Sequence, residues 1–226
     1  MTRERWDSIP FLEWVDPERT GQVVERIHQV VAKVGTSDHE LGLLYELAKG
    51  LHGGAETQGY VVELGSWCGS SACALGMAVR DAELAFPVVA VDYYGGCDEQ
   101  DTGWRECTFP YIAAREAYHE MGLAWDHVIQ VISLTNRFGE IWDKPTRLLF
   151  IDSSHTYWVT SREIEQYVPH VVEGGWVVFH DYEWHESPEC APAINDWLGT
   201  VADWDTAQYR GDECTLAVHI RRNGAN

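Results

Sequence analysis

The sequence predicts an α/β fold: a central, mostly parallel, seven-stranded sheet with helices on both faces and further helices at its N-terminal end. Three observations predict it. Short apolar and β-branched runs alternate with helical patterns from residue 60 onward, as in parallel strands joined by crossover helices. Those runs are almost continuously apolar, as expected of strands covered on both faces. Three of the five inner runs stop on an acid, at Asp92, at Asp152 and at His180-Asp181. In open α/β sheets ligands sit at the carboxyl ends of the strands, and a carboxylate buried there needs a partner.

At 226 residues the chain is read as one domain. Residues 1–54 form its arm and helical extension, and 55–226 its sheet-forming, ligand-binding part. Residues 1–18 read as an irregular arm. Val23, Val24, Ile27, Val30, Val31 and Val34 give one apolar helical face over 21–34. Ser37 and Glu40 have capping-box spacing, opening a helix that stops near Gly50 or Gly53-Gly54. The first strand is Tyr60–Leu64, followed by a loop between Gly65 and Gly69 and a helix over 72–79 opened by Ser70 and Ser71. The second strand, 86–91, ends at Asp92. Periodicity then vanishes over 93–108, a stretch long enough for a functional lid and rich in acidic and aromatic residues. A helix follows over 110–121 with Gly122 as its cap, then a third strand, Val128–Ile132, and a short helix or turn at 138–142. The fourth strand is 147–151. A helix over 158–172, ended by Gly174-Gly175, leads to a fifth strand over 176–179. A helix over 192–198 and strand-like runs near 204–209 and 214–221 complete the chain.

Composition narrows the partners. The formal charge of −20 argues against nucleic acid and anionic membrane and suits a neutral or cationic small molecule. It serves solubility equally well. No run approaches the ~20 apolar residues of a membrane span, and the N-terminus lacks the apolar core of a signal peptide, so a cytoplasmic location is expected. The six cysteines form no C-x-x-C pair and read as reduced thiols, with Cys68 and Cys73 as packing residues. Eleven tryptophans and ten tyrosines, many in loops, suggest an aromatic cavity.

The chemistry gathers at the strand ends. A strand, a glycine turn and a helix N-terminus over residues 60–71 make a place for a polar or anionic ligand, because glycine lets the backbone approach and the first-turn N–H groups are free to donate. The spacing is neither G-x-G-x-x-G nor a P-loop. Asp92, ending the second strand, has the place of an acid that accepts from a ribose diol. His155 is either a general base for a hydroxyl or a loop-shaping hydrogen-bond donor. Arg162 and Glu163 read as solvated, and His185 carries a weaker signal.

Glu63-x-Gly65-x-x-x-Gly69, Asp92, the run from Phe150 to Tyr157 and the run from Gly174 to Asp181 together resemble the class I S-adenosylmethionine (SAM) methyltransferases. The chain is most similar to the branch holding the metal-dependent natural-product sugar O-methyltransferases and proteins labelled cephalosporin hydroxylase. The resemblance covers roughly residues 37–185, about two thirds of the chain. It implies a Rossmann-like SAM-binding domain over 55–226 with its lid at 93–108. Glu63 would approach the methionine amino group. Gly65, Ser66 and Gly69 would admit the cofactor, Ser70 would bond its carboxylate and Asp92 its ribose. Ser133 stands in the adenine segment, where Leu134 replaces the family's acid and Tyr93 is placed to stack. Asp152 and Asp181 match the family's metal-binding acids, with Asp152 and His155 at the reacting hydroxyl. The two acids suit Mg²⁺, but His180 departs from the usual acidic pair: it would either join a site better suited to Mn²⁺, Fe²⁺ or Zn²⁺, point away from a two-acid site, or mark a site without metal. The implied activity is methyl transfer to a hydroxyl of a sugar or polyol, with a small amine as the alternative acceptor. A non-catalytic SAM-binding partner and a metal-dependent hydroxylase are the other readings. A homo-oligomer is compatible with the apolar N-terminal helices.

Overall fold

The computed structural model describes residues 16–51, 59–95, 109–182, 188–202, 204–210 and 215–221. The arm before residue 16, Gly53-Gly54, most of the expected lid with Cys97 and Cys107, and His185 lie outside the described residues. Helix α1 is Pro17–Val30, where Asp16 accepts from the Glu18 and Arg19 N–H groups and Pro17 occupies the first turn. That start, a few residues earlier than periodicity suggests, follows from proline's preset φ. Helix α2 is Asp38–Lys49, opened by the expected capping box between Ser37 and Glu40.

The remaining elements are β1 (Tyr60–Leu64), α3 (Ser70–Asp81), β2 (Val88–Asp92), α4 (Pro110–Glu120), β3 (Val128–Ile132) and α5 (Thr135–Gly139). They continue with β4 (Thr146–Ile151), α6 (Tyr157–Tyr167), a 3₁₀ turn (Val168–His170), β5 (Val171–Phe179), α7 (Cys190–Leu198), β6 (Trp204–Arg210) and β7 (Thr215–Arg221). One seven-stranded sheet runs β3-β2-β1-β4-β5-β7-β6. The first five are parallel, and β7 lies antiparallel between β5 and β6. Chain order reverses on the two sides of β1, the switch point where such sheets open a crevice.

Alternation along each strand divides the core in two. Val61, Leu148, Phe150 and Val178 pack with α1–α4, including Ile27, Leu44, Leu75 and Ala117. Val62, Leu149, Ile151, Val177 and Phe179 pack with α5–α7, including Ile164, Tyr167 and Ile194. Among the described residues no helix is long and apolar enough to cross a membrane.

Three further elements differ from expectation. Helix α6 stops at Tyr167 rather than near 172, because Pro169 clashes with the preceding turn and removes a donor. Gly174-Gly175 then lies inside β5 instead of ending a helix. Thr146 pairs with Val171 but Leu148 already pairs with Trp176, so β5 bulges between them; Gly174 takes φ +68° there. Helix α5 begins at Thr135, ahead of the expected 138–142.

Candidate functional site

The C-terminal ends of β1, β2, β4 and β5 converge. Gly65, just past β1, has φ +89°, and a Cβ there would meet the Asp152 carbonyl oxygen at 2.0 Å. Only glycine lets the turn after β1 lie against the turn after β4. Gly69, at φ +88°, sits against the Tyr118 ring. Both glycines are therefore demanded by packing within the chain, beyond the room for a ligand that the sequence suggests. Trp67, between them, is left-handed as well, at φ +41°.

Asp92 clamps this loop. Its Oδ2 accepts from the N–H groups of Ser66 and Trp67, each at 2.8 Å, and its Oδ1 from Tyr94 N–H at 2.6 Å. Ser66 Oγ donates to Glu63 Oε2 at 2.5 Å. Glu63 is fully buried, and that burial pushes its carboxyl up to about 8. Its Oε1 has no hydrogen-bond partner. Ser70 is buried in the first turn of α3, its Oγ 3.5 Å from Thr36 Oγ1, and Gly69 offers that helix no side-chain cap. Ser133 donates its N–H to the Asp92 carbonyl, and the Tyr93 ring lies over Gly95. Glu63, Ser66, Gly69, Asp92 and Ser133 thus form one hydrogen-bonded turn system.

Beside it lies an acid–imidazole cluster. His155 Nε2 is 2.8 Å from Asp181 Oδ2. His180 Nδ1 is 2.9 Å from Asp181 Oδ1 and 3.2 Å from Asp152 Oδ1, and its Nε2 faces Glu40 Oε2 at 3.6 Å. Burial alone would lower His180, but the Asp152 and Asp181 carboxylates outweigh it and hold the imidazole well above its ordinary value. Burial likewise raises Asp152, whereas His155 and His180 overcome it at Asp181 and hold that acid low. Asp181 adopts φ +56°, a conformation costly for a non-glycine residue.

Asp152, His155 and Asp181 each offer one ligand atom, all within 4.8 Å of one another. Two carboxylate oxygens and one imidazole nitrogen suit a hard-to-borderline divalent ion such as Mn²⁺, and Mg²⁺ less well. His180, expected among the ligands, lies outside this group of three, with its Nδ1 beside the Asp181 and Asp152 carboxylates that hold the imidazole above its ordinary value. His155, expected only at the reacting hydroxyl, stands in its place.

Glu163 corrects the sequence reading. It is fully buried, and burial pushes it up to about 7, while Arg162 stays exposed and pairs with Glu165 at 3.0 Å. Its Oε1 accepts from Ser153 Oγ at 2.5 Å and from Thr135 Oγ1. Spacing carried the signal: Thr160, Glu163, Ile164 and Tyr167 share one helical face, and all four are buried. Glu40 had no such signal, because its approach to His180 joins elements 140 positions apart in the sequence.

Comparison with known proteins places this geometry among characterised folds. A family described as a methyltransferase domain matches residues 62–182, more than half of the chain. The O-methyltransferase NovP superposes with a TM-score of 0.70 at 14% identity, covering 90% of this chain and 100% of that one. The O-methyltransferase TomG from Streptomyces achromogenes, involved in tomaymycin synthesis and solved with SAM, gives 0.64 at 14% identity, covering 99% and 100%. A curated relative, the uncharacterized protein R132 of Acanthamoeba polyphaga mimivirus, is 36% identical over 63 residues. This chain spans 27% of that relative's length, and the match covers 27% of this chain.

Proposed function

We propose, from the premise that the chain belongs to the methyltransferase domain family, that it moves a methyl group from SAM to a hydroxyl of a small molecule with the help of a divalent ion. The observation that carries this reading is the convergence of Asp152, His155 and Asp181 directly behind the glycine turn of β1. A methyl donor on that turn and an acceptor at the acids would be neighbours. Methyl transfer needs alignment of an acceptor lone pair, loss of a proton and exclusion of water.

The residues fit the cofactor. Glu63 Oε1 is a buried acceptor without a donor, and an ammonium group would supply one. Asp92 holds the Ser66–Trp67 backbone in place for the cofactor, with its spare lone pairs left for a ribose hydroxyl. The uncapped first turn of α3, with Ser70, suits a carboxylate. Asp152, His155 and Asp181 would hold the ion, which when bound lowers the pKa of a coordinated hydroxyl. The fully solved relatives NovP and TomG are O-methyltransferases, which favours a hydroxyl over an amine. A diol, as in a sugar or polyol, would offer two oxygens to the ion. The grouped ligand atoms of Asp152, His155 and Asp181 differ from the two imidazoles and one carboxylate of a non-haem iron hydroxylase.

Calorimetric titration of metal-stripped protein with S-adenosylhomocysteine, repeated with Mg²⁺ and Mn²⁺, tests the reading. Binding that disappears in Asp92→Ala, and a separate Mn²⁺ isotherm that disappears in Asp152→Ala, are expected. Absence of S-adenosylhomocysteine binding under every condition would refute the proposal.

A further inference from the structure

We propose that Glu163 is a positioning residue that ties the turn after β3 to the turn after β4, so that Ser133–Thr135 and Asp152–His155 are held as one unit. The inference rests on the methyltransferase reading, because it assigns the first turn to the cofactor side and the second to the acid–imidazole side.

The geometry is specific. Glu163 projects from α6 into the protein, and one oxygen, Oε1, receives hydroxyl donors from both turns: Thr135 Oγ1 after β3 and Ser153 Oγ after β4. The same helix sends two more struts. Tyr167 Oη donates to the Thr135 carbonyl at 2.7 Å, and Thr160 Oγ1 donates to the Ser154 carbonyl at 3.3 Å. Each of those reaches a single turn, whereas Glu163 reaches both. Ser153 directly follows Asp152, and Thr135 lies two residues beyond Ser133, so displacement of either hydroxyl shifts a site residue.

Energetics argue that Glu163 does more than fill space. A fully buried carboxylate is expensive, and an apolar side chain of similar size would stabilise the fold at least as well. Its second oxygen, Oε2, is buried without a hydrogen-bond partner, an added cost. What the carboxylate supplies that leucine or methionine lacks is an acceptor on which two separate loops converge.

The test compares S-adenosylhomocysteine and Mn²⁺ affinities, by calorimetry well below the unfolding midpoint, in wild type, Glu163→Ala, Glu163→Gln, Thr135→Val and Ser153→Ala. Glu163→Ala should weaken both ligands by about 10-fold, the lower end of what loss of a supporting partner costs a metal site. Glu163→Gln keeps the accepting Oε1 and should restore both to within about threefold of wild type, because the carbonyl still takes both hydroxyls. Thr135→Val should weaken mainly S-adenosylhomocysteine, and Ser153→Ala mainly Mn²⁺. Neither should add a loss on top of Glu163→Ala, since partners in one network are non-additive. Wild-type affinities for both ligands in Glu163→Ala, with only a lowered unfolding midpoint, would overturn the proposal. If that variant does not fold, unchanged affinities in both Thr135→Val and Ser153→Ala would overturn it equally. A wild-type protein that binds neither ligand overturns the methyltransferase reading, and the coupling with it, before any variant is made.

Discussion

Replacing Glu63 by glutamine should make the ligand-free protein more stable and its cofactor site worse. The carboxyl is fully buried and lies near about 8, against 4.5 for an ordinary glutamate. The folded state therefore binds a proton that the unfolded chain has released across that interval. Its contribution is intact below 4.5 and is lost progressively as pH rises towards about 8. At ~1.4 kcal/mol for each pH unit, the penalty is ~3 kcal/mol at pH 7 and approaches ~5 kcal/mol above pH 8. Glutamine keeps an acceptor for Ser66 Oγ and has no charge to desolvate. For a chain of this length, ~3 kcal/mol corresponds to a rise of roughly 6–12 °C in the unfolding midpoint. Thermal and urea unfolding at pH 5, 7 and 8.5 measure it, and the gap between variant and wild type should widen with pH. A variant less stable than wild type at pH 8.5, or a gap independent of pH, would refute the reasoning. Calorimetry in buffers of different ionisation heat gives the functional counterpart. If an ammonium group pairs with Glu63, S-adenosylhomocysteine binding at pH 7 should release about one proton in wild type and none in Glu63→Gln, which should also bind more weakly.

Further expectations follow from single contacts. Gly65→Ala should destabilise by ~3 kcal/mol or more in urea unfolding, because its methyl would sit 2.0 Å from the Asp152 carbonyl. Gly122→Ala, also left-handed at φ +67° but with nothing within 4 Å, should cost only ~1 kcal/mol. Ser37→Ala removes one half of the capping box on α2 and should lower stability by ~1 kcal/mol in the same assay. Asp181→Asn leaves His155 and His180 without their shared carboxylate and should weaken Mn²⁺ binding by about 100-fold in a metal titration.

The strands were legible because their short runs are dominated by apolar and β-branched residues: β1 and β3 occupy the residues that the sequence assigns to them. The capping box of α2 was legible because its two partners are three residues apart. The glycine pair at 174–175 was misread because a helix cap and a strand bulge ask for the same residue, and local sequence does not separate them. Glu163 was misread because its neighbours Arg162 and Glu165 are charged; the helical period placing it beside Ile164 and Tyr167 was the better guide. Asp152 and Asp181 follow β4 and β5, at the strand ends where the sequence puts them. That His155, and not His180, falls in the three-residue group with Asp152 and Asp181 depends on ring orientation and on Glu40 arriving from α2, which no local pattern encodes.

The β5 bulge sets a rule for insertions and deletions. Between the levels marked by Tyr60 and Val61, β1 advances one residue while β5 advances five, from Val171 to Trp176. The surplus is four, an even number, so the pleat resumes in phase, with Val177 and Phe179 facing one core and Val178 the other. Related chains are free to shorten or lengthen this detour by two residues and still deliver His180 and Asp181 to the same place. A change of one residue would turn the end of the strand inside out.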